Sequence, residues 1–408
     1  MNTYLIIIEI LSLVYNGKNL NDVINNYRDN LEFPKIKNIS FGVLRNNFKI
    51  NFIIDNLAKR IDNQMRMVLQ IALFELDYSN KPEYAIVNDV VNLSYELSAK
   101  ESLKTFINGV LRNYLRKKEE LVTKINTDYS LKYNLPNWLI NKLKSQNKKD
   151  YLAILEGLNF HPALGLRINY RKITHDKYLE ILKTNNMEFV SKDNKIALSK
   201  PVKVDAIPGF RDGIVSIQDI AAQYIVDILN KNKIKPNKVL DICAAPGGKT
   251  CQLLENFNCK VVASDIDYGR LEKIEQNLHR LGLNAKLMLA NVLNDDWWNG
   301  EQFDFILADV PCSATGTIKR NPDIKINRTD KDIFKFTELQ KKIVTNIWKM
   351  LSKNGYLLYV TCSLLNEENQ DNILWFKNNL TDFYVIDELQ ILPFINSDSL
   401  YYALICKK

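Results

Sequence analysis

Through the first third of the chain, apolar residues recur at helical spacing. Val68, Leu69, Ala72, Leu73 and Leu76 form one series, and Val87, Val90, Val91 and Leu97 another. Positions three and four apart share a helix face, so this spacing predicts amphipathic helices around a common core. Glycine is scarce and strand-type alternation is absent, so residues 1–130 are expected to form an all-α domain. A further helix is predicted over Leu103–Leu121, with Phe106, Val110, Leu111, Tyr114 and Leu115 on its apolar side. The run Asn134-Leu135-Pro136-Asn137 breaks the pattern, and a short helix follows from Trp138.

Next comes a mixed stretch. It predicts a strand over Leu164–Asn169, a helix over Asp176–Asn185 and two short strands near Glu188–Val190 and Ile196–Leu198. Residues 131–212 therefore read as a linker and a small α+β module. From residue 213 the pattern alternates. A helix is predicted over Asp219–Leu229, then strands at Val239–Asp241, Val261–Asp265, Ala285–Leu289, Phe303–Ala308 and Tyr356–Val360. Helices at Lys249–Asn256, Tyr268–Leu281, Thr337–Leu351 and Glu367–Asn379 fall between most of them. This alternation predicts a doubly wound, Rossmann-like α/β domain over residues 213–408. Phe383–Ile386 and Tyr401–Ile405 are joined without a helical pattern, which suggests a final antiparallel pair on a mostly parallel sheet.

Composition narrows the class. At 408 residues, two or three domains are expected, and 46% hydrophobic with 25% charged residues describes a soluble globular chain. Six cysteines without a CxxC pair read as reduced thiols in a cytoplasmic protein. His161, His175 and His279 are too far apart in sequence to suggest zinc or a histidine triad, so no metal is expected. The first residues lack a basic stretch and carry Glu9 within their apolar run, which reads as a helix rather than a signal peptide. No run is long enough to span a membrane.

The net charge of +8 is uneven: residues 101–200 hold 19 basic and 10 acidic side chains, and the rest of the chain is close to neutral. A solvated helix face would explain this. However, Arg112, Arg116, Lys117, Lys118 and Lys132 interleave with Tyr114, Tyr129, Tyr133 and Trp138, and cations beside stacking surfaces suit an RNA partner.

Chemistry concentrates at the predicted strand ends. Cys312 follows Ala308-Asp309-Val310-Pro311 and Cys362 follows Tyr359-Val360-Thr361. A parallel sheet would bring both thiols to its carboxyl edge, where α/β enzymes hold their sites. Thiolates are strong nucleophiles, although two small buried hydrophobes at strand ends would look the same in sequence. Gly247-Gly248 lies in Cys243-Ala244-Ala245-Pro246-Gly247-Gly248-Lys249-Thr250, between a strand and a helix. A phosphate loop is excluded, because Cys243 stands where it needs glycine and Pro246 removes a donor. Asp265 ends the next strand, where a carboxylate can accept from two ribose hydroxyls. Asn291 follows the third strand and could pair with an adenine edge. Turn, ribose carboxylate and adenine contact together suggest S-adenosylmethionine.

The runs CAAPGGKT, DVPCSATG and VTCSLLNEEN closely resemble those of the NOL/NOP/Sun family of RNA cytosine-5 methyltransferases. The helical runs Leu69–Leu76 and Phe106–Arg112 resemble the NusB RNA-binding fold, and a NusB-like domain on this catalytic domain resembles the RsmB/Sun branch, which acts on 16S ribosomal RNA. The resemblance implies that Cys362 attacks cytosine C6, that Cys312 assists release, and that Asp309 and Lys249 position the base and balance its charge. It implies cofactor contacts from Cys243, Ala244, Ala245, Pro246, Gly247, Gly248, Lys249, Asp265, Arg270, Asn291 and Asp309. Family members usually carry aspartate at the place of Asn291, so a changed adenine contact is expected. The chain is expected to act as a monomer on RNA, without a membrane. Transfer RNA as substrate, or an inactive assembly factor, would also fit parts of this pattern.

Overall fold

The computed structural model describes residues 2–408 and divides the chain into two compact units. One comprises Met1–Asn159 with Ile318–Thr329, and the other Phe160–Thr317 with Asp330–Lys408.

The first unit is helical. Its core lies among the helices Thr3–Tyr15, Phe33–Arg45, Asn47–Leu57, Asn63–Tyr78, Glu83–Ser98 and Glu101–Thr127. Val68, Leu69, Ala72 and Leu73 are fully buried, as their spacing predicts, while Leu76, Val87 and Val91 lie at the core's margin. Asp62 caps its helix by accepting from Met65 N at 2.9 Å. Gly42 lets the Phe74 ring pack against backbone: a Cβ there would fall 2.1 Å from the ring. The helix predicted to end at Leu121 continues to Thr127, because Ile125 extends the apolar stripe by one turn.

Ile318–Thr329 rejoins this unit far from its neighbours in sequence. The Arg45 guanidinium donates to Lys319 O at 3.2 Å, and Lys325 Nζ donates to Arg45 O at 2.5 Å. Asp323 accepts from Leu20 N and Asn19 Nδ2, each at 3.4 Å, and Ile326 packs on the core.

The second unit holds two sheets. Four short antiparallel strands, β1 (Leu164–Ile168), β2 (Phe189–Lys192), β3 (Lys195–Leu198) and β4 (Val215–Ile217), lie in the order β2-β3-β1-β4, with the helix His175–Thr184 between β1 and β2. The three residues of β4 are too few to show alternation in sequence. The predicted helix from Asp219 begins only at Tyr224, because the Asp219 carboxylate accepts from Ala221 N at 2.8 Å and residues 221–223 form a 3₁₀ turn.

The larger sheet contains β5 (Lys238–Ile242), β6 (Lys260–Asp265), β7 (Lys286–Leu289), β8 (Phe303–Asp309), β9 (Leu351–Thr361), β10 (Phe383–Ile391) and β11 (Leu400–Lys407), in the order β10-β11-β9-β8-β5-β6-β7. β5 through β9 pair in parallel, and β11 runs antiparallel between β9 and β10. Successive side chains feed two cores. Val239, Phe305, Leu307, Leu358 and Val360 pack on one face, while Leu240, Ile242, Ile306, Ala308 and Leu357 pack on the other. Burial on both faces explains why these strands read as continuous apolar runs. Among the described residues, no helix is long and apolar enough to cross a membrane.

Candidate active site

The turn after β5 is built for tight geometry. Cys243 and Gly247 have φ of +53° and +91°, and a Cβ on Gly247 would lie 2.9 Å from Ile274 Cγ2. Ala244 N donates to Ser264 O at 2.9 Å, and Cys251 N to Gly247 O at 2.9 Å, which starts the helix Gly248–Asn256. The Arg167 guanidinium grips Glu255 through two bonds of 2.9 and 3.0 Å and donates to Gly248 O at 2.6 Å. Arg167, on β1, is far in sequence from Gly248 and Glu255, which share one helix, so nothing in its local pattern marks it. Asp241 within β5 is fully buried. One oxygen accepts from Thr250 Oγ1 at 2.5 Å and the other lacks a partner. Burial pushes its pKa up to about 7, against the Thr250 hydrogen bond. A carboxylate inside an apolar strand was the available signal for this residue.

Beside the turn is a cleft of about 430 Å³ at the carboxyl edge of the sheet. Cys243 and Ala245 line it, while Ala244, Pro246, Gly247 and Gly248 hold the turn's shape. Asp265, at the end of β6, is 2% exposed and accepts from Ala245 N at 3.2 Å and Asp267 N at 3.3 Å. Arg270 lies 3.5 Å from Asp265 and donates to Ala245 O at 3.3 Å, bracing the carboxylate against the turn. Asn291 Oδ1 accepts from Leu293 N at 3.1 Å. Ile266 and Leu293 add apolar wall at the mouth, where both are exposed.

The same cleft contains Asp309, Cys312 and Cys362. Lys249 Nζ sits 2.5 Å from Asp309 Oδ2. Burial lowers the Lys249 pKa, but the Asp309 carboxylate more than offsets this, and the ammonium is held above its ordinary value. The two sulfurs are 3.2 Å apart and both thiols are free. Cys362 N also donates to Cys312 Sγ at 3.3 Å. The hydrogen bond with Cys362, then burial, raises the Cys312 pKa well above the usual thiol range.

The basic residues lie elsewhere, on the helical unit. Arg112, Arg116, Lys117 and Lys132 are exposed, whereas Lys118 pairs with Asp77 at 2.8 Å. The aromatic interleaving is only partly a surface feature. Tyr129 is exposed, but Tyr114 and Tyr133 are buried, and Tyr114 donates to Asp77 at 2.6 Å. Tyr114 follows Val110 and Leu111 at helical spacing, which already assigned it to the core.

Comparison with known proteins agrees with this architecture. The profile described as 16S rRNA methyltransferase RsmB/F matches residues 228–397, the NusB family profile residues 1–116, and the ferredoxin-like domain of RsmF/B-like methyltransferases residues 135–205. Ribosomal RNA small subunit methyltransferase B of Proteus mirabilis is 35% identical over 98% of this chain and 97% of its own length. The chain belongs to the RsmB/F family. Its counterpart in Shewanella oneidensis is 37% identical over 86% of this chain and 85% of its own. Among solved structures, PH0851 superposes with a TM-score of 0.80 at 22% identity, covering 99% of each chain. A methyltransferase homolog from Pyrococcus horikoshii gives 0.60 at 25% identity, over 69% of this chain and 98% of that one. As an RsmB/F protein, the chain is a ribosomal RNA methyltransferase with a NusB-type helical domain, a ferredoxin-like module and a Rossmann-like catalytic domain.

Proposed function

We propose that this protein transfers a methyl group from S-adenosylmethionine to C5 of a cytidine in 16S ribosomal RNA, through a covalent bond from Cys362 Sγ to C6. The observation that carries this reading is the pair of free thiols 3.2 Å apart, in one cleft with Asp309.

The residues around the cleft suit the cofactor. Asp265 offers acceptors for two ribose hydroxyls, Asn291 an amide for the adenine edge, and Ile266 and Leu293 apolar walls. When bound, the cofactor supplies an electrophilic methyl group. Cytosine C5 is a poor nucleophile. Addition of the Cys362 thiolate to C6 breaks the 5,6 double bond and gives C5 the electron density to attack. Asp309 hydrogen-bonds the N3/N4 edge, and Lys249 balances the charge beside it. Methylation leaves one proton too many on C5. Cys312 takes it, the 5,6 double bond reforms, and Cys362 departs.

Proximity sets the order of these steps. Two thiolates in contact repel, and the hydrogen bond with Cys362, then burial, holds the proton on Cys312. Once the Cys362 sulfur is bound to carbon, that repulsion is gone, so Cys312 can release its own proton to solvent and, as a thiolate, take the C5 proton. The target cytidine must be unstacked or in a loop to enter the cleft. Arg112, Arg116, Lys117 and Lys132 are the proposed RNA contacts of the helical unit. The six unpaired cysteines suit the reducing cytoplasm.

The test is a pair of substitutions. Cys362→Ala abolishes transfer, and Cys312→Ala accumulates an RNA–protein adduct that survives a denaturing gel. Adduct from Cys362→Ala with none from Cys312→Ala would reverse the roles. Bisulfite sequencing of RNA from cells with and without the protein then names the nucleotide. No protein-dependent cytidine in 16S ribosomal RNA would sink the substrate assignment.

A further inference from the structure

Behind the two cysteines lies a buried carboxylate that the chemistry above does not use. Glu368, in the 3₁₀ turn Asn366–Glu368 after β9, has no exposed surface. Its oxygens accept four hydrogen bonds. Ser313 N donates at 2.8 Å and Gln340 Nε2 at 3.1 Å to one oxygen, and the hydroxyls of Ser313 and Ser363 donate to the other. Ser313 directly follows Cys312 and Ser363 directly follows Cys362. One side chain therefore ties the two backbone positions that carry the thiols.

The rest of the network locks this clamp. Thr315 Oγ1 lies 3.3 Å from both serine hydroxyls and accepts from Leu364 N at 3.0 Å. Gly316 N donates to Cys362 O at 2.9 Å, and a Cβ on Gly316 would lie 2.9 Å from that oxygen. Gln340 is held by donating to Pro311 O at 2.9 Å and accepting from Asn372 at 2.7 Å. Tyr359 OH donates to Glu368 O at 2.8 Å. A buried carboxylate is costly unless its lone pairs are met, and here four donors converge on it. Burial raises the Glu368 pKa, and the hydrogen bonds from Ser313, Ser363 and Gln340 oppose that rise.

We propose that Glu368 is a positioning residue that sets the separation and orientation of Cys312 and Cys362 by clamping the serine after each. This rests on the covalent reading of the two thiols given above. Glu368 does not touch the cleft, so it acts on the chemical steps and not on either substrate's binding.

The experiment compares Glu368→Gln and Glu368→Ala with the unaltered full-length protein, using S-adenosylmethionine binding by calorimetry, kcat and KM on an unmodified 16S ribosomal RNA transcript, and adduct formation in a Cys312→Ala background. Displaced reacting groups should lower kcat about 10- to 100-fold in Glu368→Ala. Cofactor affinity and KM for RNA should stay within about threefold, a difference worth under one kcal/mol of binding. Glu368→Gln keeps the shape and one acceptor oxygen, so it should recover part of the loss. In the Cys312→Ala background, Glu368→Ala should slow the appearance of adduct by a similar factor. Unchanged kcat in both variants overturns the proposal. So does a folded variant whose cofactor affinity falls in step with kcat, since that marks a general scaffold. If Glu368→Ala does not fold, Glu368→Gln alone decides by the same criteria. Absence of adduct in Cys312→Ala itself would instead count against the covalent reading.

Discussion

Asp309 and Lys249 form the most exposed dependency at the scale of single residues. The 2.5 Å pair is partly buried, with side chains 16% exposed for Lys249 and 31% for Asp309. Asp309→Asn removes one charge and leaves the ammonium without its partner. Loss of a catalytic electrostatic contact costs about 10²–10³ in rate, so kcat should fall by at least 100-fold while the fold survives. A loss below tenfold in steady-state methyl transfer would exclude Asp309 from the reaction. Lys325 makes a different prediction. Burial lowers its pKa from 10.5 to about 7. Between pH 7 and 10.5 the unfolded chain binds this proton and the folded chain does not, so the residue makes stability rise with pH across that window. The slope is at most about 1.4 kcal/mol per pH unit. Below pH 7 both states are protonated and the contribution is flat. Urea unfolding of the full chain between pH 7 and 9 should show this rise, and Lys325→Met should flatten it.

Among the elements, the turn after β5 has the least tolerance. Gly247 has φ of +91° and Ile274 closes the space above it. Gly247→Ala meets both obstacles and should destabilise the protein by about 1–3 kcal/mol. Because Ala245 and Asp265 are tied to that turn, cofactor affinity should fall as well. Thermal unfolding and calorimetry read the two effects separately. On the helical unit, replacing Lys117 and Lys132 should weaken RNA binding and flatten its dependence on salt. Equal affinity at low salt would exclude these residues from the interface. Lys118→Ala should instead act mainly on stability, through Asp77. The strand ends were legible from sequence because buried parallel strands are apolar throughout, which placed Asp309, Cys312 and Cys362 at one edge. The Rossmann-like alternation and the antiparallel β11 were legible for the same reason. The Glu368 hub was not: its partners Ser313, Gln340 and Ser363 are spread along the chain, and polar residues carry no period. The same holds for Arg167, which is far in sequence from the helix carrying Gly248 and Glu255. Ile326 is an isolated apolar residue in a largely polar run, too little to announce that it packs on the helical core.

At the scale of the whole molecule, neither unit is one continuous stretch of chain. Residues 318–329 belong with the helices that begin at the amino terminus, and the α/β unit is correspondingly interrupted between Thr317 and Asp330. On the ribosome, the helices through Asn159 emerge first, yet Arg45 cannot meet Lys319, nor Leu20 meet Asp323, until residues 160–317 have been made. At about 5–20 residues per second, that interval lasts roughly ten to thirty seconds. During it, the groove that later holds Ile326 and Lys325 stays open to solvent or to a chaperone. The first domain to be synthesised is thus completed only when the loop leading out of Cys312 has been translated, so a nascent chain halted before that loop carries an unfinished helical domain.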